Sequence, residues 1–444
     1  MSKEAFLKQM KELLGSDYPA FEATLCAPAF RGVYVNTLKC SVEKFQSLFP
    51  FPLSPTPFSG KGFYIDNALS GIGNHPLHHA GAFYVQEPSA MSAAAALGVK
   101  QGDKVLDLCA APGGKTTALA GALAGSGLLW SNEYVKSRAF TLLSNIERIG
   151  VQNAVVSNAS AEALAKALPC FFDKILIDAP CSGEGMLRRE KAEYEKWNEK
   201  NILICAARQA QILEEGAKMV KSGGELVYST CTFNQTENEE IARRFLREHP
   251  EFEIVPIENH FGSPGFDMPQ AKRIFPADGG EGHFVVKFKK HGGSCHVKLK
   301  TFTASPAPQA FHEFYQSTFS TPFCGNAYEI GGRVYLVPKA LPATSHINIL
   351  RAGVLAGEMR GKLFFPAHAL FASADFNDVK NKINLSLQDA RLAAFLHGEE
   401  ISVADFSPKK GFCAVFVEEM PLGFGKASGE KLKNHYPKGL RNLN

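Results

Sequence analysis

Hydrophobic and polar positions along the chain change period three times, and each change marks a region. The opening MSKEAFLKQMKELLGSDYPAF mixes acids and bases with apolar residues at helical spacing, which predicts an amphipathic helix. Gly32-Val33-Tyr34-Val35-Asn36 reads as a strand, and Val42 to Leu48 as a short helix. The proline-rich Phe49 to Pro57 interrupts any regular element there, because proline lacks the N–H that ladders and helices need. Residues 1–84 are therefore expected to form a small α+β module.

From about Gly81 to Lys290 helical and strand-like patterns alternate. Strands are predicted at Lys104–Leu108, Gly127–Asn132, Ala154–Ser157, Lys174–Asp178, Glu225–Ser229 and His283–Phe288. Several are unbroken apolar runs, as expected where helices cover both faces of a parallel sheet. Residues 85–292 accordingly read as a doubly wound, Rossmann-like α/β domain. Lys290-His291-Gly292-Gly293-Ser294 breaks the pattern, and Thr301 to Pro308 adds a Ser/Pro-rich stretch, so a linker is placed there. Beyond it Tyr328–Val337, Gly361–Phe365 and Gly411–Val417 read as short strands among glycines. They suggest two β-rich units, at 303–375 and 385–444.

Composition narrows the setting. The 444 residues exceed what one core usually supports, and 45% hydrophobic with 21% charged residues is ordinary for a globular protein. The N-terminus lacks the apolar core of a signal peptide, and no window offers the roughly 20 apolar residues of a membrane span. Ten cysteines, none in a C-x-x-C pair or beside a His at finger spacing, argue against structural zinc and against a disulfide framework. A cytoplasmic protein without metal is expected. The net charge of +4 is only mildly basic, but from Leu422 onward Lys426, Lys431, Lys433, Lys438 and Arg441 face the single acid Glu430, with His435 and Tyr436 interleaved. Such a tail can neutralise phosphates and offer an aromatic face; a solvated surface is the equal alternative.

Candidate chemistry begins at Asp107-Leu108-Cys109-Ala110-Ala111-Pro112-Gly113-Gly114-Lys115, a strand entering a glycine turn before an alanine-rich helix. Gly113 and Gly114 permit close approach of a ligand to the backbone, and Lys115 adds positive charge. The next predicted strand ends in Glu133, where an acid can accept both hydroxyls of a ribose. The G-x-G-x-x-G of a dinucleotide site is absent. The opening glycine of a Walker A loop is replaced by Cys109, so an NTPase is excluded too.

Two later strands each end in a thiol: Asp178-Ala179-Pro180-Cys181-Ser182-Gly183, and Ser229-Thr230-Cys231-Thr232. Cys109, Cys170 and Cys205 read as inert buried residues, but two cysteines at strand exits among small polar residues suit nucleophilic chemistry. Methylation at C5 of a pyrimidine needs this set. A thiolate adds to C6, the resulting enamine carbon attacks the methyl of S-adenosylmethionine, and loss of the C5 proton expels the thiol. Asp178 can neutralise the charge near N3 if it is protonated or hydrogen-bonded against the ring, or it can orient the cofactor. Which thiol attacks is open at this level. Arg188 and Arg189 are placed to reach substrate phosphates or simply to face solvent, and Gln209 to support the rim. His75, His78 and His79 cluster in a glycine-rich loop without the acid or thiol of a metal site. Gln86-Glu87-Pro88-Ser89 reads as the cap of the helix beginning at Ala90.

These motifs resemble the RNA 5-cytosine methyltransferases of the Nol-Nop-Sun (NSUN) family. Asp107–Lys115 is similar to the family's cofactor motif, Asp178–Gly183 to its proline-cysteine motif and Ser229–Thr232 to its threonine-cysteine motif, with Arg31–Lys39 and Gly282-His283-Phe284 matching the motifs at either end. Leu432 to Arg441 resembles the C-terminal end of the bacterial RsmF type, which carries a PUA-like RNA-binding domain and modifies small-subunit rRNA. The resemblance implies Cys231 as nucleophile, Cys181 as an aid to product release and S-adenosylmethionine as cofactor. The cofactor would be held by Cys109, Ala110, Ala111, Pro112, Gly113, Gly114 and Lys115, then Glu133, Arg138 and Asp178. After the third strand the family often has an acid near the adenine; Val155-Val156-Ser157-Asn158 supplies none, and Asn158 is assigned in its place. The expectation is an rRNA cytosine-C5 methyltransferase, monomeric, acting on naked rRNA or the small subunit. A tRNA methyltransferase and a noncatalytic assembly factor are the alternatives.

Overall fold

The computed structural model describes residues 2–189, 197–292, 297, 299–323, 325–406 and 410–442; Gly293 and Ser294 of the expected linker lie outside them. Four antiparallel strands build the N-terminal module: β1 (Gly32–Val35), β2 (Ser54–Pro55), β3 (Gly62–Tyr64) and β4 (Phe83–Gln86), in the order β2-β3-β1-β4. The proline-rich stretch contributes only the two-residue edge strand β2, where a missing N–H costs no ladder bond. Period-two alternation puts Val33 and Val35 into one core and Tyr34 into another, so β1 is buried on both faces. The expected boundary at residue 84 falls inside β4, which pairs with β1 and carries the chain from the module into the central domain.

The central sheet contains β5 (Lys104–Asp107), β6 (Leu128–Asn132), β7 (Ala154–Ser157), β8 (Phe172–Asp178), β9 (Val220–Thr230), β10 (Phe252–Ile254), β11 (Ser263–Gly265), β12 (Met268–Ile274) and β13 (His283–Lys290). Its order runs β11-β12-β13-β9-β8-β5-β6-β7, with β10 beside β13; β5 to β9 are mutually parallel and β13 runs antiparallel to β9. From β5 the chain steps outward to β6 and β7, then returns to the other side of β5 as β8. That reversal places the turn after β5 at the topological switch point, where doubly wound sheets bind their ligands. Leu106, Trp130, Val155, Ile175, Leu226 and Tyr228 fill the core on one face, and Val105, Leu129, Val156, Leu176 and Val227 the core on the other. The apolar runs read from the sequence are thus the strands covered on both sides.

Beyond the central domain comes β14 (Ser305–Pro306), and then β15 (Asn326–Ile330) and β16 (Arg333–Val337) resolve the expected single strand at 328–337 into a hairpin that turns at Gly331-Gly332, both with positive φ. Next β17 (Ile349–Ala352) pairs antiparallel with β7, so the first C-terminal unit extends the central sheet instead of standing apart from it. With β14, β18 (Val354–Arg360) and β19 (Leu363–Pro366) the hairpin forms a five-stranded sheet. A last sheet holds β20 (Lys382–Leu385), β21 (Ile401–Ser402), β22 (Lys410–Val417), β23 (Met420–Ser428) and β24 (Lys431–Asn434).

That last sheet shares a core with the N-terminal module, Val33, Phe45 and Phe83 packing with Leu385, Val415 and Leu422. His79 clasps the tail: its ring nitrogens lie 2.7 Å from Tyr436 Oη and 2.9 Å from Asn442 Oδ1. Tyr436 is therefore buried, not an aromatic face for a ligand, whereas Lys426, Lys431, Lys433 and Lys438 remain exposed. Cys170, read as an inert core thiol, is disulfide-bonded. No helix among the described residues is long and apolar enough to cross a membrane.

Candidate active site

Five parallel strand exits converge on one rim. The turn after β5 is stitched to its neighbours by Leu108 N–H donating to Leu176 O (3.0 Å) and Ala110 N–H donating to Asn132 O (2.8 Å). Its Ala111–Pro112 bond is cis, and Gly113 takes φ 117°, which a side chain would strain, before the helix Gly114–Leu123 begins. A Cβ on Gly114 would sit 3.0 Å from the Gln86 side chain and 3.1 Å from Tyr84, so glycine here lets β4 close over the turn. From outside, Arg138 Nη2 donates to Ala111 O (2.7 Å) and Asn145 Nδ2 to Pro112 O (2.8 Å).

Glu133 is buried at the exit of β6, its Oε1 accepting the Val135 N–H and its Oε2 3.6 Å from Arg138. Arg138 thus braces the turn and the acid. The Asn158 amide nitrogen donates to Glu133 O and Tyr134 O, both at 2.8 Å, and so positions the acid's loop. Asn132, which the sequence did not single out, ties three exits together through Leu108 O, Ala159 O and Ser157 Oγ.

A sulfonium amino acid joined to a nucleoside presents a ribose diol and an ammonium group, and the rim offers acceptors for both. Glu133 would answer the diol. Asp107 is fully buried; Oδ2 accepts from Thr116 (2.7 Å), while Oδ1 is without a partner among the described residues. Burial lifts its carboxyl to about 7, opposed by the Thr116 bond. The residues therefore fit such a cofactor.

Lys115 points away from the turn it ends. Its Nζ lies 2.7 Å from Asp178 Oδ2. Asp178 Oδ1 accepts from Ser229 Oγ (2.9 Å) and lies 3.6 Å from His283 Nε2. Burial acts to raise Asp178, but Lys115 and His283 outweigh it and hold the carboxyl well below the usual range. Asp178 is thus an anion, not the protonated acid that donation to a ring would need. Beside it the donor is Lys115, kept charged because Asp178 overcomes its own burial.

Cys181 and Cys231 meet. Both are free, their sulfurs are 3.2 Å apart, and the Cys231 N–H points at Cys181 Sγ (3.4 Å). The contact with Cys231, then burial, pushes the Cys181 thiol well up, so it stays protonated. Cys109, whose thiol burial likewise raises, contributes backbone to the turn. Around the thiols Ser182 Oγ meets Thr232 Oγ1 (2.8 Å), and buried Glu184 Oε2 accepts from Thr232 Oγ1, Phe233 N–H and Asn234 N–H. Arg188 does not reach outward for phosphates. It is buried, donates to Ala27 O and Pro28 O and faces Glu281. Among the described residues no group of three or more metal-ligating side chains gathers.

Comparison with known proteins decides the family. The chain is 32% identical over 466 residues to a Klebsiella pneumoniae (strain 342) ribosomal RNA small subunit methyltransferase F, covering 98% of this chain and 96% of that protein. The chain belongs to the RsmB/F family of 16S rRNA methyltransferases. The RsmB/F model itself matches residues 94–289, flanked by matches to the N-terminal domain of 16S rRNA methyltransferase RsmF (3–88), the RsmF first C-terminal domain (313–373) and the RsmF PUA domain (382–442). The corresponding enzyme of Vibrio vulnificus (strain YJ016) is 31% identical over 469 residues, at 98% and 97% coverage. Among solved structures, a methyltransferase homolog from Pyrococcus horikoshii superposes with a TM-score of 0.57 at 30% identity, covering 64% of this chain and 94% of that one. NSun6 from the same organism, solved with SFG, shares the fold at a TM-score of 0.58 and 23% identity, covering 65% and 98%.

Within this RsmB/F chain the residues missed by sequence reasoning are Ser229, His283, Asn132, Glu184 and Glu237. Ser229 and His283 stood inside recognised motifs without a role. Glu237 lies in the polar run Asn234-Gln235-Thr236-Glu237-Asn238, which carries no periodic signal.

Proposed function

We propose that this chain transfers a methyl group from S-adenosylmethionine to C5 of a cytosine in small-subunit rRNA, through a transient bond from Cys231 Sγ to C6 of the base. The observation that carries this reading is the pair of free thiols 3.2 Å apart beside the Lys115–Asp178 ion pair. When bound, the cofactor supplies an electrophilic methyl. The chain's residues do the rest.

Addition of the Cys231 thiolate to C6 delivers an electron pair to the ring, and charge gathers toward N3. The Lys115 ammonium donates to it, while the Asp178 carboxylate accepts from the exocyclic amine and keeps Lys115 charged. After methylation a base takes the C5 proton, the C5–H electrons restore the ring double bond, and the C6–S bond breaks onto Cys231. The protonated Cys181 thiol is placed to hydrogen-bond that departing sulfur. The turn Cys109–Lys115 would hold the cofactor, with Glu133 accepting from its ribose and Asp107 from its ammonium. An rRNA substrate is favoured over tRNA because the matches to RsmF domains cover both flanks of the catalytic domain. Such a substrate sets the enzyme in the cytoplasm.

Cys231→Ala should abolish incorporation of labelled methyl into rRNA from a strain lacking the protein; undiminished incorporation overturns the nucleophile. Cys181→Ala should accumulate a protein–RNA adduct stable on a denaturing gel. Bisulfite sequencing of rRNA and tRNA from that strain identifies the substrate class.

A further inference from the structure

Glu237 is fully buried six residues beyond Cys231, and among the described residues no Lys or Arg lies within ion-pair distance of it. Burying a carboxylate away from a counter-charge is costly unless hydrogen bonds compensate. Here they do, and each comes from a residue next to the thiol loops. Oε2 accepts the Ser182 N–H (2.9 Å) and Gln209 Nε2 (2.7 Å), and Oε1 accepts Asn234 Nδ2 (2.8 Å). The same Gln209 amide donates to Pro180 O (3.1 Å). Residues 180 and 182 are thus both fixed, one on each side of Cys181, from a carboxylate in the Cys231 loop. Tyr228 Oη, on β9 itself, donates to Glu237 O (2.7 Å) and anchors the acid to the strand that delivers Cys231. Nothing covalent joins the loops, and the bracket adds to the direct Ser182–Thr232 and Cys231–Cys181 contacts that set the spacing between the two sulfurs.

We infer that Glu237, acting through Gln209, is the positioning residue that holds Cys181 against Cys231 for expulsion of the methylated base. The inference rests on the release role proposed above for Cys181. It adds the device that makes that role possible: without the bracket Cys181 drifts from the departing sulfur, the C6–S bond persists after methylation, and the enzyme stalls as an adduct. Attack by Cys231 and transfer of the first methyl group need no such contact.

The test compares wild type, Cys181→Ala, Glu237→Ala, Glu237→Gln and Gln209→Ala on small-subunit rRNA from a strain lacking the enzyme. Single-turnover methylation, steady-state rate and adduct on denaturing gels are read together. Glu237→Ala should keep first-turnover methylation within about threefold of wild type while steady-state turnover falls about tenfold or more and adduct accumulates. Glu237→Gln, which keeps an acceptor for Ser182, should be intermediate. A purely structural Glu237 predicts equal loss of both rates and no adduct, and that result overturns the inference, as does normal turnover. If Glu237→Ala does not fold, Gln209→Ala decides: adduct supports the bracket, and a folded variant without adduct overturns it. Adduct with Cys181→Ala but with none of the bracket variants sinks this inference alone. No adduct with Cys181→Ala sinks the release role and the bracket together.

Discussion

Lys115 and Asp178 neutralise each other at 2.7 Å, with only 10% and 29% of their side chains exposed, although one belongs to the glycine turn and the other to the strand that delivers Cys181. Because the depressed carboxyl is held down by its partner, stability from the pair is complete above the ordinary carboxylate value near 4 and is lost as pH falls through the lower folded value. Lys115→Met should leave Asp178 without its counter-charge. Urea melts should show a loss of about 2 kcal/mol at neutral pH that shrinks as pH falls, because the unpaired buried carboxyl then takes up a proton. Methyl transfer should drop about a hundredfold or more, since the donor beside the ring is gone.

In the proposed site Glu133 would hold the cofactor directly, and Asn158 would act by holding the loop of Glu133. Glu133→Ala should weaken S-adenosylmethionine binding about tenfold or more by calorimetry, with little change in rate at saturating cofactor. Asn158→Ala frees the carbonyls of Glu133 and Tyr134 and should give the same effect, smaller, at about two- to fivefold.

How far such a site is legible in sequence depends on whether residues act through local pattern or through contact. The strands β5 to β9 and β13 were legible because each is an apolar run bounded by turns, and the thiols because each comes directly after such a run. The pairing of β17 with β7 was not, since its partly buried residues carry no alternation that names a partner so far away in the chain. Lys115 illustrates the same limit within the site. Its place in the turn suggested a cofactor contact, whereas its long side chain reaches across the switch point to Asp178. The tail failed in the opposite direction: interleaved Lys and Tyr suggested one face, but strand alternation turns Leu432 inward and leaves Lys431 and Lys433 outside, while His79 draws in Tyr436.

Asp107 makes the fold pH-sensitive in a direction opposite to Asp178. With its carboxyl lifted by burial to about 7, its contribution to stability is complete below the ordinary value and is lost as pH rises through 7. Asp107→Asn can still accept from Thr116 but does not titrate. Without cofactor, the variant should gain about 2–4 kcal/mol relative to wild type between roughly pH 4 and 7.5, read as diverging melting curves. Bound S-adenosylmethionine, whose ammonium would favour the ionised acid, should shrink that gap; an unchanged gap removes Asp107 from the cofactor site.

The His79–Tyr436 contact joins the N-terminal module to the C-terminal tail, so its loss should be felt far from the point of substitution. His79→Ala removes two hydrogen bonds and leaves a buried phenol unpaired, at a cost of about 1–3 kcal/mol; Tyr436→Phe removes one partner and should cost about 1 kcal/mol. Hydrogen exchange should quicken across residues 382–442 while β5 to β9 stay protected. Burial lowers the His79 pKa, so stability tied to its neutral ring is complete above about 6.5 and is lost as pH falls. Rigid placement of the exposed lysines depends on this clasp, but their number does not. RNA affinity should therefore fall in His79→Ala while its dependence on salt keeps the wild-type slope. A flattened slope would mean instead that phosphate contacts themselves were lost.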